Sequence, residues 1–464
     1  MTSDDLAFAD CHELSSLLQR KVVSSVELTH LYLERLEKYG QHYGALVTLM
    51  PERALREAKR ADRERAHGTV RSKLHGIPYG VKDLLATKDA PTTWGAAPYR
   101  LQHFDYDATV VKRLGDAGAV LLAKLAMVEL AGGFGYNDAD ASFTGPGRTP
   151  WNRNFWSGGS SSGPGAATSA GLVGFAIGSE TDGSIVVPAA SCGVTGLRPT
   201  YGRVSRHGAM ALSWSMDKLG PIARSARDAE IILRIISGAD PGDPTSVTRP
   251  FARPSTPPRI AILAGSREKL MPAVLKNFNR SVRELATFAS ITDERTLPKA
   301  PWGDVAGNVI NAECAAAFQD LIESGRAREL QSVDDKLGGY PQLAVRAVDY
   351  INAQRQRSIM MNLLLGAFSD VDAVIWPTMS TVALPVGVPF DKTYPKYPGG
   401  TDLTTPGNVC GWPAIALPNG FGENNLPTSL SMMSAPFSET VLTSIAARYQ
   451  QRTDYHRRRP PLGF

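Results

Sequence analysis

Cysteine is scarce: Cys11, Cys192, Cys314 and Cys410 are the only four in 464 residues. Their spacing fits neither a zinc-ligand pattern nor a dense disulfide framework. No apolar run approaches the roughly 18 residues of a membrane span. The opening stretch MTSDDLAFADCHELSS is acidic and lacks the basic-then-apolar order of a secretory leader. A reducing, cytoplasmic setting away from membranes is the expectation. Charge of one sign is lacking too, with 50 Lys and Arg against 45 Asp and Glu. The one dense basic run, HRRRP near the C-terminal end, has no interleaved aromatics and reads as a solvated tail rather than a nucleic-acid patch. No phosphate-binding loop and no metal-ligand motif is found, so neither an organic cofactor nor a metal is expected. No repeat of fixed period is visible.

What is present is globular. Apolar residues make up 43% of the chain and charged residues 20%, enough to build a large core. Length alone suggests several domains, but large α/β enzymes often exceed that prior as one unit. The first 65 residues read as helical. SSVELTHLYLERLEKYG carries a capping box, Ser24 with Glu27, and stops at Gly40. PERALREAKRADRERAHG has Pro51 at its start and Gly68 at its end. GIPYGVKDLLA then reads as a short apolar strand holding one lysine, Lys82. DATVVKRLGDAGAVLLAKLAMVELAGG reads as helix, Gly turn, strand and a further helix. That alternation predicts an α/β protein with strands buried on both faces. PGDPTSVTRPFARPSTPPR, residues 241–259, is the best linker candidate. IAIL after it, VDAVIWPT and PAIALPNGF read as further strands, with a mostly helical region before about 365.

The sharpest question is GGSSSGPGAATSAG, residues 158–171. Gly/Ser-rich tethers are flexible because nothing in them can be buried. Here small and apolar residues suited to a packed helix and strand follow at once, which favours a functional loop. A second cluster, GSETDGSIVVP, places Ser184 after Gly183 and before an apolar run read as a strand. A serine on such a turn, among backbone N–H groups free of a ladder, can be a nucleophile with an oxyanion hole. A plain Asp182-Gly183 turn is the competing reading. A serine hydroxyl needs a base to become nucleophilic. Neither His75 nor His207 has a triad setting. Lys82 is the better candidate, because burial can lower an ammonium pKa by several units. Its alternative role is a core ion pair with Asp83 or a distant acid.

Taken together, GIPYGVKD, GGSSSG, GSETDGSIVVPAASCGVTGLRPTYGRVSRHG and GPIARSARD resemble the amidase signature family. IWPTMS and GWPAIALPNGF are similar to that family's C-terminal strands. The resemblance is strong over about 74–235, weaker over 370–445 and poor between. It implies one α/β domain with a central mixed sheet covered by helices on both faces. Within residues 1–464, a helical segment would span 1–70 and the catalytic core 71–240 and 365–464. A variable, mostly helical substrate-side insertion would span 241–364. It also implies a Ser–Ser–Lys triad: Lys82 as base, Ser160 as relay after a cis peptide bond, and Ser184 as nucleophile. Thr181, Asp182 and Gly183 join Ser184 in the implied oxyanion hole, and Ser161 supports from behind. AGGFGYN offers Gly132, Gly133 and Phe134 as binding candidates, with Arg203 and Trp412 as weaker ones.

Two departures matter. Many members have two glycines before the nucleophile, where this chain has Asp182-Gly183. Many carry arginine two places after it, where this chain has Val186. An uncharged acyl group follows from the second. The expectation is a stand-alone amidase, monomeric or homodimeric, cleaving an amide, anilide or carbamate (urethane) of a small aryl or hydrophobic molecule. Esterase activity on the side is chemically open to it. A glutaminase-like A subunit of a tRNA-dependent amidotransferase is the rival within the family. A binding or scaffold protein on the same fold is the non-enzymatic rival. GSSSG also fits a hydrolase elbow with Ser161 as nucleophile, but no strand precedes it.

Overall fold

A computed structural model describes residues 2–254 and 256–462. Its framework is one sheet of eleven strands. In chain order these are β1 (Leu46–Leu49), β2 (Pro78–Lys82), β3 (Val120–Leu125), β4 (Phe175–Glu180), β5 (Thr195–Arg198) and β6 (Lys218–Ala223). They continue with β7 (Arg259–Ile262), β8 (Ser290–Ile291), β9 (Ala373–Pro377), β10 (Ala414–Phe421) and β11 (Pro427–Met433). The order across the sheet is β1-β3-β2-β4-β6-β5-β10-β11-β9-β7-β8. β2 runs parallel to both β3 and β4, and β7 runs parallel to β8 and β9. The remaining pairs are antiparallel, so the sheet is mixed as expected.

Both faces are covered. Helices Ser162–Ser169 and Val186–Cys192 pack Ala166, Ala167, Val186 and Ala189 against one face, with Leu33 and Leu36 beside them. Helices Ala226–Ile236 and Glu439–Arg452 bring Ile232, Leu233, Leu442 and Ile445 to the opposite face. The nearly continuous burial of β2 to β6 follows from this double cover.

Local signals act where physics gives them leverage. Helix Ser25–Tyr39 starts on the reciprocal capping box: the Ser24 hydroxyl accepts from the Glu27 amide and the Glu27 carboxylate from the Ser24 amide. Helix Pro51–Ala66 starts with its proline, whose missing N–H costs nothing in the first turn. Between these helices lies β1, inside the stretch read as wholly helical. Four residues are too few to show a period, and the strand exists because β3 offers an edge to pair with.

Other readings are corrected. The stretch after β3 is a single 3-10 turn, Glu129–Gly132, rather than a helix. Leu130 and Ala131 take positive φ there, which stops propagation. The run after Ser184 is helix Val186–Cys192, not a strand. Pro188 sits in its first turn, where proline is tolerated. The 241–259 segment is not a loose tether at its start. Asp243 accepts from the Arg206 amide, and Asp240 from the Ser205 and Thr109 hydroxyls. β7 and β8 then extend the same sheet, while helices Trp302–Ala317, Val333–Gln342 and Ala347–Ala367 form a helical cover.

Candidate active site

The parallel pairing of β2 with β4 brings Lys82 and the Ser179-Glu180 pair to one edge of the sheet. The loop before helix Ser162–Ser169 reaches the same edge, where the Ser160 carbonyl accepts from Val128 N–H at 3.1 Å. Lys82 is fully buried. Its Nζ donates to Ser160 Oγ at 2.7 Å and to Ser179 Oγ at 2.9 Å. Among the described residues, no carboxylate pairs with it. Burial lowers its pKa to about 7, against the pull of Asp217 and Glu180. The acid beside it, Asp83, is committed to Lys124 Nζ at 2.8 Å and accepts from the Thr93 amide and hydroxyl. The ion-pair alternative for Lys82 is therefore not what the chain builds.

The Gly159–Ser160 peptide bond is cis. A Cβ at Gly159 would lie 2.6 Å from Trp156 Cζ2 and 2.8 Å from Val128 Cγ2, so only glycine fits. Ser161 N–H donates to the Ser184 carbonyl at 3.3 Å, and Ser161 Oγ donates to the Ser179 carbonyl at 3.1 Å. Ser161 thus fastens the loop to both the Thr181–Ser184 turn and β4. Ser162 is buried and donates to the Ala126 carbonyl at 3.3 Å.

The turn Thr181–Ser184 is shaped from below by Glu180. One carboxylate oxygen accepts from Ile185 and Val186 N–H at 2.8 and 3.0 Å. The other accepts from Arg198 Nη1 at 2.7 Å and Asn408 Nδ2 at 2.8 Å. Burial opposes the charge, but the Arg198 guanidinium and these donors hold the carboxyl at about 2. Gly183 has φ +84°, a conformation glycine adopts without strain. Among the described residues, no acceptor takes the N–H groups of Thr181, Asp182, Gly183 or Ser184. The Ser184 hydroxyl likewise makes no hydrogen bond within the described residues, and 7% of the residue remains exposed. Four free amides beside an accessible hydroxyl can receive an acyl carbonyl and the negative charge that builds on its oxygen.

Asp182 does not aim at those amides. Its carboxylate accepts from Thr405 Oγ1 at 2.8 Å and Asn408 Nδ2 at 3.2 Å, both on helix Thr404–Val409. Burial raises its pKa to about 6. Asp217 accepts from the Thr181 hydroxyl at 2.6 Å and from the Leu212 and Ser213 amides. Ser179, Glu180, Arg198, Asp217 and Asn408 were all missed in the sequence. The only local hint was an acid closing an apolar strand inside GSETDGS.

Of the weaker candidates, Gly132, Gly133 and Phe134 form one turn against the helical cover. The Gly133 carbonyl accepts from Gln342 Nε2 at 2.8 Å, and the Phe134 ring meets Phe318 edge-on at 5.8 Å. Arg203 and Trp412 are engaged elsewhere. Arg203 pairs with Glu439 at 2.9 Å and donates to the Arg249 and Phe437 carbonyls. Four of its five N–H donors are spent on holding the chain. Trp412 is buried in a core cluster with Phe368. His207 is exposed against Tyr106, and His75 is buried beside Glu64. All four cysteines are free and buried. Among the described residues, no helix is long and apolar enough to cross a membrane, and no group of three or more His, Cys, Asp or Glu could hold a metal ion.

A mixed eleven-stranded sheet of this order, with helices on both faces, is the architecture of amidase enzymes. The chain belongs to the amidase family, whose model matches residues 27–442. Members act on C–N bonds of small amides. The A subunit of the glutamyl-tRNA(Gln) amidotransferase of Moorella thermoacetica is 35% identical, over 99% of each chain. Putative amidase AmiD of Mycobacterium bovis is 35% identical, over 100% of this chain and 98% of its own. The peptide amidase of Stenotrophomonas maltophilia superposes with a TM-score of 0.85 at 31% identity, covering 98% of both chains.

Proposed function

We propose that this chain is a stand-alone serine amidase that hydrolyses uncharged, aryl or hydrophobic amides, anilides or carbamates through an acyl-enzyme. The observation that carries the reading is the buried Lys82 amine, 2.7 Å from Ser160 Oγ and without a counter-ion. A neutral amine there accepts a proton from Ser160, which in turn takes one from Ser184. Ser184 Oγ attacks the acyl carbon, and the oxyanion is received by the N–H groups of Thr181 to Ser184. Removing one such donor typically costs about 3 kcal/mol. Collapse breaks the C–N bond, and Ser160 passes the proton from Lys82 to the departing nitrogen. Water then attacks the ester by the same relay in reverse and frees Ser184. Ser179 orients the Lys82 amine from its second side.

Val186 supports the uncharged acyl group, since it puts no cation two places after the nucleophile. The neighbouring Arg198, Arg203 and Arg206 are all bonded within the protein. The test is a rate panel of an anilide, a simple amide, an aryl ester and a carbamate, each with and without a carboxylate on the acyl side. Faster turnover of the neutral compounds is expected, and activity restricted to the carboxylates overturns the reading.

A second reading rests on the full-length similarity to the A subunit of the glutamyl-tRNA(Gln) amidotransferase. That reading predicts hydrolysis of free glutamine, enhanced by partner proteins, and no anilide turnover. Labelling of Ser184 by a fluorophosphonate separates either enzyme from a scaffold on the same fold, which stays unlabelled.

A further inference from the structure

Helix Ala347–Ala367 is apolar on two opposite sides. Ala353, Met360 and Leu364 pack into the core, while Ile351, Ile359 and Leu363 form a stripe on the far side, 55, 62 and 41% exposed. The preceding helix, Val333–Gln342, also carries an outward apolar stripe, over a polar buried side. It buries Asp335 and Gln342 and turns Val333, Leu337 and Tyr340 outward at a spacing of four and three. Of the fifteen large apolar side chains exposed among the described residues, ten lie between 333 and 365. Exposed apolar side chains concentrated in one region ordinarily mark an interaction surface.

We infer that the outward stripes of helices Val333–Gln342 and Ala347–Ala367 form the interface between two copies of this chain. The area fits: ten half-exposed apolar side chains offer on the order of 800 Å², what each partner brings to a standard interface. The charges fit as well. Residues 333–365 hold four basic and three acidic residues, and Arg346 pairs with Asp349 at 2.8 Å. A near-neutral surface suits a symmetric contact in which each patch meets its own copy. An anionic lipid surface calls for unpaired Lys and Arg with interfacial Trp, and this stretch contains no tryptophan.

The test is sedimentation velocity of the full chain at micromolar concentrations, beside Ile351→Glu/Ile359→Glu. Wild type is expected near twice the 49.9 kDa chain mass. The variant is expected to raise the dimer dissociation constant by about tenfold or more, with its circular dichroism and turnover kept. Leu337→Glu/Leu363→Glu gives the same readout if the first pair fails to fold. A wild type that stays monomeric overturns the inference, as does a dimer that survives both variants. So does a monomer that sediments with phosphatidylcholine–phosphatidylglycerol vesicles.

Discussion

Asp83 gives its carboxylate to Lys124, at 2.8 Å, and not to Lys82 beside it in the chain. All three side chains are fully buried. One lysine is paired and serves the fold, and the other is left without an anion. Removing one partner of a buried pair costs about 3–5 kcal/mol, so Lys124→Met is expected to destabilise by that amount in urea melts. Lys82→Met removes an uncompensated amine instead, and is expected to leave the melting midpoint unchanged or raised. A large stability loss in Lys82→Met would mean its amine is structural.

The same Lys82→Met variant is expected to lose at least about 10³-fold in kcat, and Ser184→Ala likewise, because groups acting as one relay are not additive. Ser161→Ala is expected to lose about tenfold, since its hydroxyl only fastens the loop to β4. Steady-state rates for the three variants check this. Ser161 proving the indispensable serine would falsify the assignment.

The pH profile follows from the base. In the proposed relay Lys82 works as the neutral amine, and its pKa is lowered to about 7 by burial. Below that value the ammonium dominates and kcat/KM is expected to fall tenfold per pH unit. Above it the rate is expected to level off. A profile flat from pH 5 to 8 excludes Lys82 as the titrating base.

Asp182 offers a test of the oxyanion turn. With its pKa raised to about 6, it is ionised at pH 8 and mostly protonated at pH 5. A negative charge near the developing oxyanion opposes it, by roughly 2 kcal/mol at about 8 Å and an effective dielectric of about 20. Asp182→Asn is therefore expected to raise kcat about thirtyfold at pH 8 and hardly at all at pH 5. Equal effects at both values mean the carboxylate acts through its bonds to Thr405 and Asn408 rather than its charge.

How much of this was legible depended on the range of the interaction involved. The Ser24–Glu27 cap, the Pro51 start and the apolar strands are encoded within a few residues, so the sequence shows them. The motif resemblance located Lys82, Ser160 and Ser184, which the fold brings to one sheet edge. β1 was hidden because its pairing partner lies more than seventy positions away. Asn408 was hidden for the same reason: nothing near TTPGNV says that its amide reaches Glu180 and Asp182. Ser179 was passed over because one hydroxyl among many has no period to betray it. Arg203 and Trp412 looked like ligand contacts because a buried arginine and tryptophan carry no local mark of which neighbour they serve.

Asn408 has a practical consequence. It ties the C-terminal third of the chain to the two carboxylates that frame the Thr181–Ser184 turn. Chimeras that exchange this third between amidase-family enzymes should treat positions 182, 405 and 408 as a single heritable block. Splitting the block leaves a carboxylate orphaned against the reacting loop, and a hybrid that folds well would still inherit a poor enzyme.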